Sequence, residues 1–438
     1  CDRVAGAVSI FWEVYIVIKN IRRYGALLLA IALFMGLTCG VSAQKKTTIV
    51  HWQHHSPARL ETVKAFAQEF MKENPNVKIE IESVPQDDFF QKLLPAIAAG
   101  SGPDTFQIPL GQVPAYAASG VIQPIDSRVA TTRQIESEFI TPAIKRMKHN
   151  GKYYGFPVDV QTIVLFYNPK LFKEAGLDPE RPPQTWDELI KYAQAIHKRD
   201  AKGITTQMGV GTGGYGPTVI TLMLQNGAPL WNTKTQLPDF NSPQAIEALK
   251  FVTDLETTYK VEDAQFGRRN DMFRQGKVGM VFGHPAMIGA NKTTAPNLEF
   301  RTAEIPAPKA GGSRSTLLTS WAYVVSSQAE SEICSKWVAY LTSAEAQKRW
   351  TLTTGELPSR KALLDLPEYK NDILLAPCME SMKKSVPAPW TARRLDDELI
   401  RETYQLVTLK GESPAAALKW LTKEAVKAEK EQQELARP

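Results

Sequence analysis

Cysteine, histidine and long apolar runs are all scarce in this chain. Four cysteines and six histidines are spread over 438 residues, and the cysteine spacing fits neither a zinc site nor a redox pair. Lys and Arg (52) nearly balance Asp and Glu (46), and the net charge of +6 never gathers into a basic block. That excludes an electrostatic footprint for nucleic acid. The apolar stretches are too few for a polytopic membrane protein, and no repeat or low-complexity stalk marks a structural or adhesive surface protein. The phosphate-loop, HExxH and GxSxG motifs are absent. Gly209-Val210-Gly211-Thr212-Gly213-Gly214 satisfies GxGxxG, but no strand with a terminal acidic residue follows about 20 residues on, so it reads as a flexible loop. Carboxylates abound, yet no motif arranges two of them as a glycoside-cleaving pair. What is present, 43% hydrophobic and 22% charged residues, is the makeup of a folded globular protein of two or three domains.

The N-terminal region reads as a secretory signal. Lys19, Arg22 and Arg23 precede an uncharged run from Tyr24 to Gln44 with its apolar centre at Ala26 to Leu37, followed by Val41-Ser42-Ala43. Basic, apolar and small-residue regions in that order predict cleavage after Ala43; the apolar centre is shorter than the roughly 20 residues a membrane span needs. Residues 1–16 read as translated upstream sequence, with Val17 a plausible start. Cys39 is a weaker lipoprotein signal, because Gly36-Leu37-Thr38 ahead of it lacks the usual residues. Cleavage would remove four basic and two acidic residues together with Cys1 and Cys39. Cys334 and Cys378 then remain, either as one disulfide or as two buried thiols.

Beyond the leader, strand and helix signals alternate. Thr47 to Trp52 reads as a strand and Ser56-Pro57 as a helix start, with Leu60, Val63, Phe66, Ala67 and Phe70 at helical spacing and Asn74-Pro75 as the stop. Val77 to Val84 alternates, Asp88 to Ala99 is helical, and Thr105 to Pro109 is extended. This order implies parallel pairing in an α/β sheet. Thr162 to Tyr167, Lys277 to Phe282 and Trp321 to Ser326 read as further strands. The C-terminal part is mostly helical and ends in an amphipathic, highly charged stretch, Pro414 to Leu435.

The segment Pro157-Val158-Asp159, then Val164-Leu165-Phe166-Tyr167-Asn168, with Phe172 and Glu174, resembles the signature of the extracellular solute-binding proteins of ABC importers, in the group that binds sugars and glycerol phosphates. Gly100-Ser101-Gly102-Pro103-Asp104, Gly151-Lys152-Tyr153-Tyr154-Gly155-Phe156, Phe273-Arg274-Gln275-Gly276-Lys277 and Gly355-Glu356-Leu357-Pro358 follow the family's order. The resemblance covers residues 47–430. It implies an α/β, two-lobed periplasmic-binding-protein fold of type II-like topology, with a hinge and an interlobe ligand cleft. By analogy, residues 44–157 and 305–353 form one lobe and residues 158–304 and 354–438 the other, with crossings near Pro157 to Val160, Arg301 to Ile305 and Thr353 to Leu357. It further implies a periplasmic, monomeric, non-catalytic receptor without a cofactor. The receptor would deliver a small solute to the transmembrane permease subunits of an importer driven by a cytoplasmic ATPase.

Sugars present apolar faces and a rim of hydroxyls, so their sites combine flat rings with short polar groups. Tyr215, Trp231, Trp321 and Trp390 lie off any helical stripe and are the aromatic candidates, whereas Trp186, Trp337, Trp350 and Trp420 fit packing. His54, His55 and Ser56 fall where the first strand gives way to a helix; they read either as ligand donors or as an N-cap with exposed loop histidines. The resemblance adds Asp159, Gln161, His284, Ser320 and the basic pair Arg393-Arg394. The chain departs from the family at His284-Pro285-Ala286, where many sugar binders carry Trp, and at Pro109-Leu110-Gly111, where an acidic residue is common. These departures weaken the expectation of maltooligosaccharide binding and of strict glycerol-3-phosphate recognition. A sugar or polyol is the first expectation, a glycerol phosphate the alternative and a secreted glycosidase the rival class.

Overall fold

The computed structural model describes residues 46–54 and 57–435. The leader, its cut after Ala43, and His55 and Ser56 lie outside the described residues. The second sheet, both cavities and the first sheet apart from Thr47, Val77 and Lys78 belong to one compact unit, Thr48–Asn74 with the chain from Ile79 onward.

Strand Thr47–His54 runs parallel to Thr105–Pro109, with His51 opposite Thr105 and Trp52 opposite Phe106. Parallel neighbours need a crossover, which the helix Pro57–Glu73 begins. Its Val63, Phe66, Ala67 and Phe70 recur at helical spacing, and all four are buried. The sheet order is Val77–Val84, Thr47–His54, Thr105–Pro109, Trp321–Ser326 and Ile122–Gln123, with Gly155–Pro157 also pairing to Trp321–Ser326. Trp321–Ser326 comes from far along the chain, lies antiparallel to Thr105–Pro109, and brings Trp321 opposite Pro109 at the sheet's end. His51 is buried in this core: its Nδ1 lies 2.9 Å from Thr105 Oγ1, and the rings of Tyr323 and Trp337 pack edge-on.

A second sheet has the order Arg301–Ala303, Val164–Tyr167, Val278–Gly283, Thr205–Gly211 and Lys198–Arg199. Its central pair, Thr205–Gly211 with Val278–Gly283, is parallel. Val164–Tyr167 is buried at every residue, as a strand covered on both faces must be. The core against it includes Leu165, Phe172, Leu189, Phe240, Leu249 and Leu421, and Trp186 stacks on Phe251 at 4.1 Å between ring centroids. Among the described residues no helix is long and apolar enough to cross a membrane.

Three segments pass between the sheets side by side. Val160 exchanges backbone hydrogen bonds with Leu357, Gln161 exchanges them with Thr319, and Val158 N–H donates to the Trp321 carbonyl at 2.8 Å. The middle passage therefore lies at Leu318–Trp321 and not near Arg301 to Ile305. Arg301–Ala303 pairs inside the second sheet, and Ile305 and Leu317 are buried in the core against it. Residues 305–318, placed with the first lobe by analogy, thus pack with the second sheet.

The halves also meet through a close helix approach. At Gly289, in the helix Met287–Thr294, an added Cβ would lie 2.7 Å from the Thr354 carbonyl oxygen, at the end of the helix Ala344–Thr354. Gly355 caps that helix at φ +79°, where a Cβ would strike the Pro285 carbonyl and Ile288, both at 2.6 Å.

In the structure Cys334 and Cys378 are both free and buried. Each sits in its own helix, Ser331–Leu341 and Leu375–Lys383. The Cys378 thiol donates to the Leu374 carbonyl at 3.1 Å, and burial pushes its pKa up to about 12.

Candidate functional site

Where the passages meet the ends of the strands, a cavity of about 340 Å³ opens between the sheets. Ligands of α/β sheets gather at such strand ends. Phe90, Pro109, Leu110 and Gln112 line it from the first half, and Leu318 to Trp321 come from the passage itself. From the second half come Tyr215, His284, Trp390, Arg393, Arg394 and Asp396 to Glu398.

Trp321 is half-exposed at the start of its strand. Its ring lies 4.4 Å from that of His54 and stacks toward Phe90 at 6.1 Å and 21° between planes. The Arg393 guanidinium sits 4.6 Å over the same Phe90 ring. Trp390 is buried in the second core, 6.0 Å from the Phe240 ring, and its indole N–H donates to Asp396 Oδ1 at 3.1 Å. Burial raises the Asp396 carboxyl to about 6, against the pull of that bond, Arg393 and Arg146. The loop carrying these residues is fastened from the C-terminal helix. Glu429 accepts from the backbone N–H groups of Thr391 and Ala392, both at 2.8 Å, and from Thr391 Oγ1.

Beneath the cavity lies a buried charged cluster. Asp159 accepts from Gln161 Nε2 at 2.8 Å and from the Trp321 N–H at 3.3 Å, while Ser320 Oγ donates to its carbonyl at 2.6 Å. Glu356 accepts from Arg59 Nε at 2.6 Å and from Trp350 Nε1 at 2.5 Å, and Arg59 also reaches His54 Nε2. Burial, and then the negative charge of Glu356, raise the Asp159 carboxyl well above the usual range, against the pull of Arg59. Asp159 and Gln161 therefore support Trp321 and Ser320 from below and do not line the cavity.

A second cavity of about 270 Å³ shares the wall made by Tyr215 and His284. It is lined by His54, Arg59, Arg269, Asn270, Arg274 and Glu356 among others. His284 Nδ1 lies 2.9 Å from the Thr162 carbonyl. Burial lowers its pKa to about 4; that hydrogen bond opposes the shift, and Arg269 and Arg59 add to it. Burial raises Tyr215 to about 12, against the nearby Arg269.

The structure thus brings His54, Tyr215, His284, Ser320, Trp321, Trp390 and Arg393 onto the two cavities, with Asp159 and Gln161 below. Trp231 is elsewhere: it sits in the hairpin Trp231–Asn232 with Leu237–Pro238, packed on the second core. The glycine run is also not a flexible loop. Gly209 and Gly211 belong to the strand Thr205–Gly211, and the next N–H groups, of Thr212 and Gly213, both donate to Glu262 at 2.6 Å.

Phe90, Arg59, Arg269 and Glu356 were not legible as site residues. Phe90 did carry a signal, since Phe89, Leu93 and Ile97 form the buried stripe of the helix Gln86–Ala98 and Phe90 lies off it. Glu356 stands within a family-like motif without a role attached. Arg59 and Arg269 depend on tertiary approach alone.

Comparison with known proteins places this arrangement. The family model described as bacterial extracellular solute-binding protein matches residues 56–348. The sn-glycerol-3-phosphate-binding periplasmic protein UgpB of Shigella dysenteriae serotype 1 (strain Sd197) is 28% identical over 83% of this chain and 86% of its own length. The maltotriose-binding protein of Pyrococcus abyssi (strain GE5 / Orsay) is 26% identical over 74% of this chain and 69% of its own. Among solved structures, an ABC transporter solute-binding protein from Thermotoga lettingae bound with alpha-D-tagatose superposes with a TM-score of 0.76 at 26% identity. That match covers 87% of this chain and 99% of the other.

Proposed function

Because the chain belongs to the bacterial extracellular solute-binding proteins, we propose that it captures a carbohydrate between its halves outside the cytoplasmic membrane. It then hands the sugar, chemically unaltered, to the permease of an ABC importer. One observation carries this reading: a sugar-sized cavity, walled from both sheets, has Trp321 and Phe90 rings on one side and short polar groups on the others. Rings of this kind meet the apolar face of a sugar, while Gln112, Ser320, Asp396 and Asp397 stand ready for hydroxyls. A relative named for maltotriose and a similar solved structure bound with alpha-D-tagatose support the same class.

The passages at Val158–Gln161, Leu318–Trp321 and Thr354–Leu357 serve as the hinge, and the ligand favours the closed arrangement by touching both halves at once. The chain acts as a monomer, exported by its leader, and carries out no reaction. A second reading, capture of a glycerol phosphate, draws on Arg393 and Arg394 at the cavity wall and on the relationship to UgpB.

A thermal-shift screen with maltotriose, tagatose, polyols and glycerol 3-phosphate tests the assignment, since a ligand of the native state raises the melting temperature. A carbohydrate should give the largest shift. A shift from glycerol 3-phosphate alone would transfer the assignment to the second reading, and release of reducing sugar from an oligosaccharide would replace it with an enzyme.

A further inference from the structure

The second cavity has no part in the reading above beyond its shared wall, and its lining is cationic. Arg59, Arg269 and Arg274 all reach it. Two of them are neutralised, Arg59 by Glu356 and Arg274 by Asp271. Arg269 makes no ion pair among the described residues. Its guanidinium lies 4.5 Å from the centre of the Tyr215 ring and donates to the Phe282 carbonyl. Glu262 and Asp397 act on it from a distance, but both are engaged. Glu262 holds the N–H groups of Thr212 and Gly213, and Asp397 holds Arg401 and the Gly216 N–H.

A guanidinium has five N–H donors in one plane, and among the described residues Arg269 donates only to the Phe282 carbonyl. Arg269 is partly exposed in the chamber and has no counter-ion among the described residues, so the position is suited to an anion supplied from outside. The planar fork matches a carboxylate or a phosphate in a bidentate pair. Asn270 lines the same chamber, and its buried amide oxygen has no hydrogen-bond partner among the described residues. Tyr215 and His284 belong to the lining of both cavities, so an acidic group held at Arg269 lies next to the aromatic cavity.

We infer that the chamber receives the acidic group of a sugar whose neutral body lies against Trp321 and Phe90, so that the ligand class is an acid-bearing carbohydrate, held through Arg269. This rests on the carbohydrate reading.

Calorimetry on the purified protein with glucose and galactose, each beside its uronate and its 6-phosphate, tests the inference. For at least one sugar the acid should bind about tenfold or more tightly than its neutral parent, the yield of a charge-assisted hydrogen-bond pair. The uronate and phosphate arms tell carboxylate from phosphate. Arg269→Gln should erase the preference and Arg269→Lys should keep part of it. If Arg269→Gln does not fold, the wild-type His284 imidazole followed by NMR gives the same answer, because an anion in the chamber raises its pKa and a neutral sugar does not. Neutral parents binding as tightly as the acids would overturn the inference and leave the carbohydrate reading standing. A preference that survives Arg269→Gln would overturn the assignment to this chamber. Binding of no sugar, neutral or acidic, would overturn both.

Discussion

On one side of the wall made by Tyr215 and His284 lie Trp321, Phe90 and Trp390; on the other lie Arg59, Arg269 and Arg274. The aromatic side has charges too, but they offset one another: Arg146, Arg393 and Arg394 share its lining with Asp396, Asp397 and Glu398, and Arg394 pairs with Glu398. On the arginine side Arg269 is left over. The difference shows how two chambers at one junction can divide the work of recognition. One offers apolar faces and hydroxyl partners, and the other offers a net charge.

Both chambers rest on the buried Arg59–Glu356 pair, so breaking it should have the largest effect. Glu356→Gln leaves Arg59 half-buried without its counter-ion and should cost about 3–5 kcal/mol of unfolding free energy. Urea denaturation checks this, and a loss below about 1 kcal/mol would show that the junction does not depend on the pair. Next comes the aromatic side alone. Trp321→Ala should weaken sugar binding roughly a hundredfold with the fold intact; wild-type affinity by calorimetry would remove the stacking role.

A subtler effect belongs to the arginine side. Burial raises Glu262 from an ordinary 4.5 to about 7, against the hydrogen bonds of Gly213 and Thr212. A carboxyl with a raised pKa contributes stability that is fully present below its ordinary value and is lost as pH climbs through the raised one. Between about pH 4.5 and 7, therefore, the wild type should lose melting temperature relative to Glu262→Gln. A gap between the two that stays constant with pH would show that Glu262 is ionised throughout. Smallest of all should be Trp231→Ala, with affinity changed less than about twofold, since that ring packs on the second core and lines neither cavity. A large loss of affinity would return Trp231 to the site.

The elements were legible because their periods are strong. Val63, Phe66 and Phe70 announce a helix, and the unbroken apolar run Val164–Tyr167 announces a doubly covered strand. Trp321, which lines the cavity, was legible as a candidate ring because it lies off any helical stripe at a strand edge. The same rule misplaced Trp231, since a loop aromatic carries no sign of which surface it folds onto. Asp159 and Gln161 lie at the expected place in the chain but serve as supports, because their burial depends on Ser320 and Trp321 arriving from about 160 residues away. The middle passage shifted from near Ile305 to Leu318–Trp321 for a like reason. Proline and glycine after Ile305 signal a turn, and only strand pairing decides to which sheet the chain then belongs.

The central claim is capture without chemistry. Equilibrium dialysis of the purified protein against labelled carbohydrates, with the retained ligand released and weighed by mass spectrometry, tests it directly. The account predicts that a sugar is held at about one molecule per chain and comes back with its mass unchanged. Retention of no carbohydrate, or recovery of a cleaved or modified one, would contradict it.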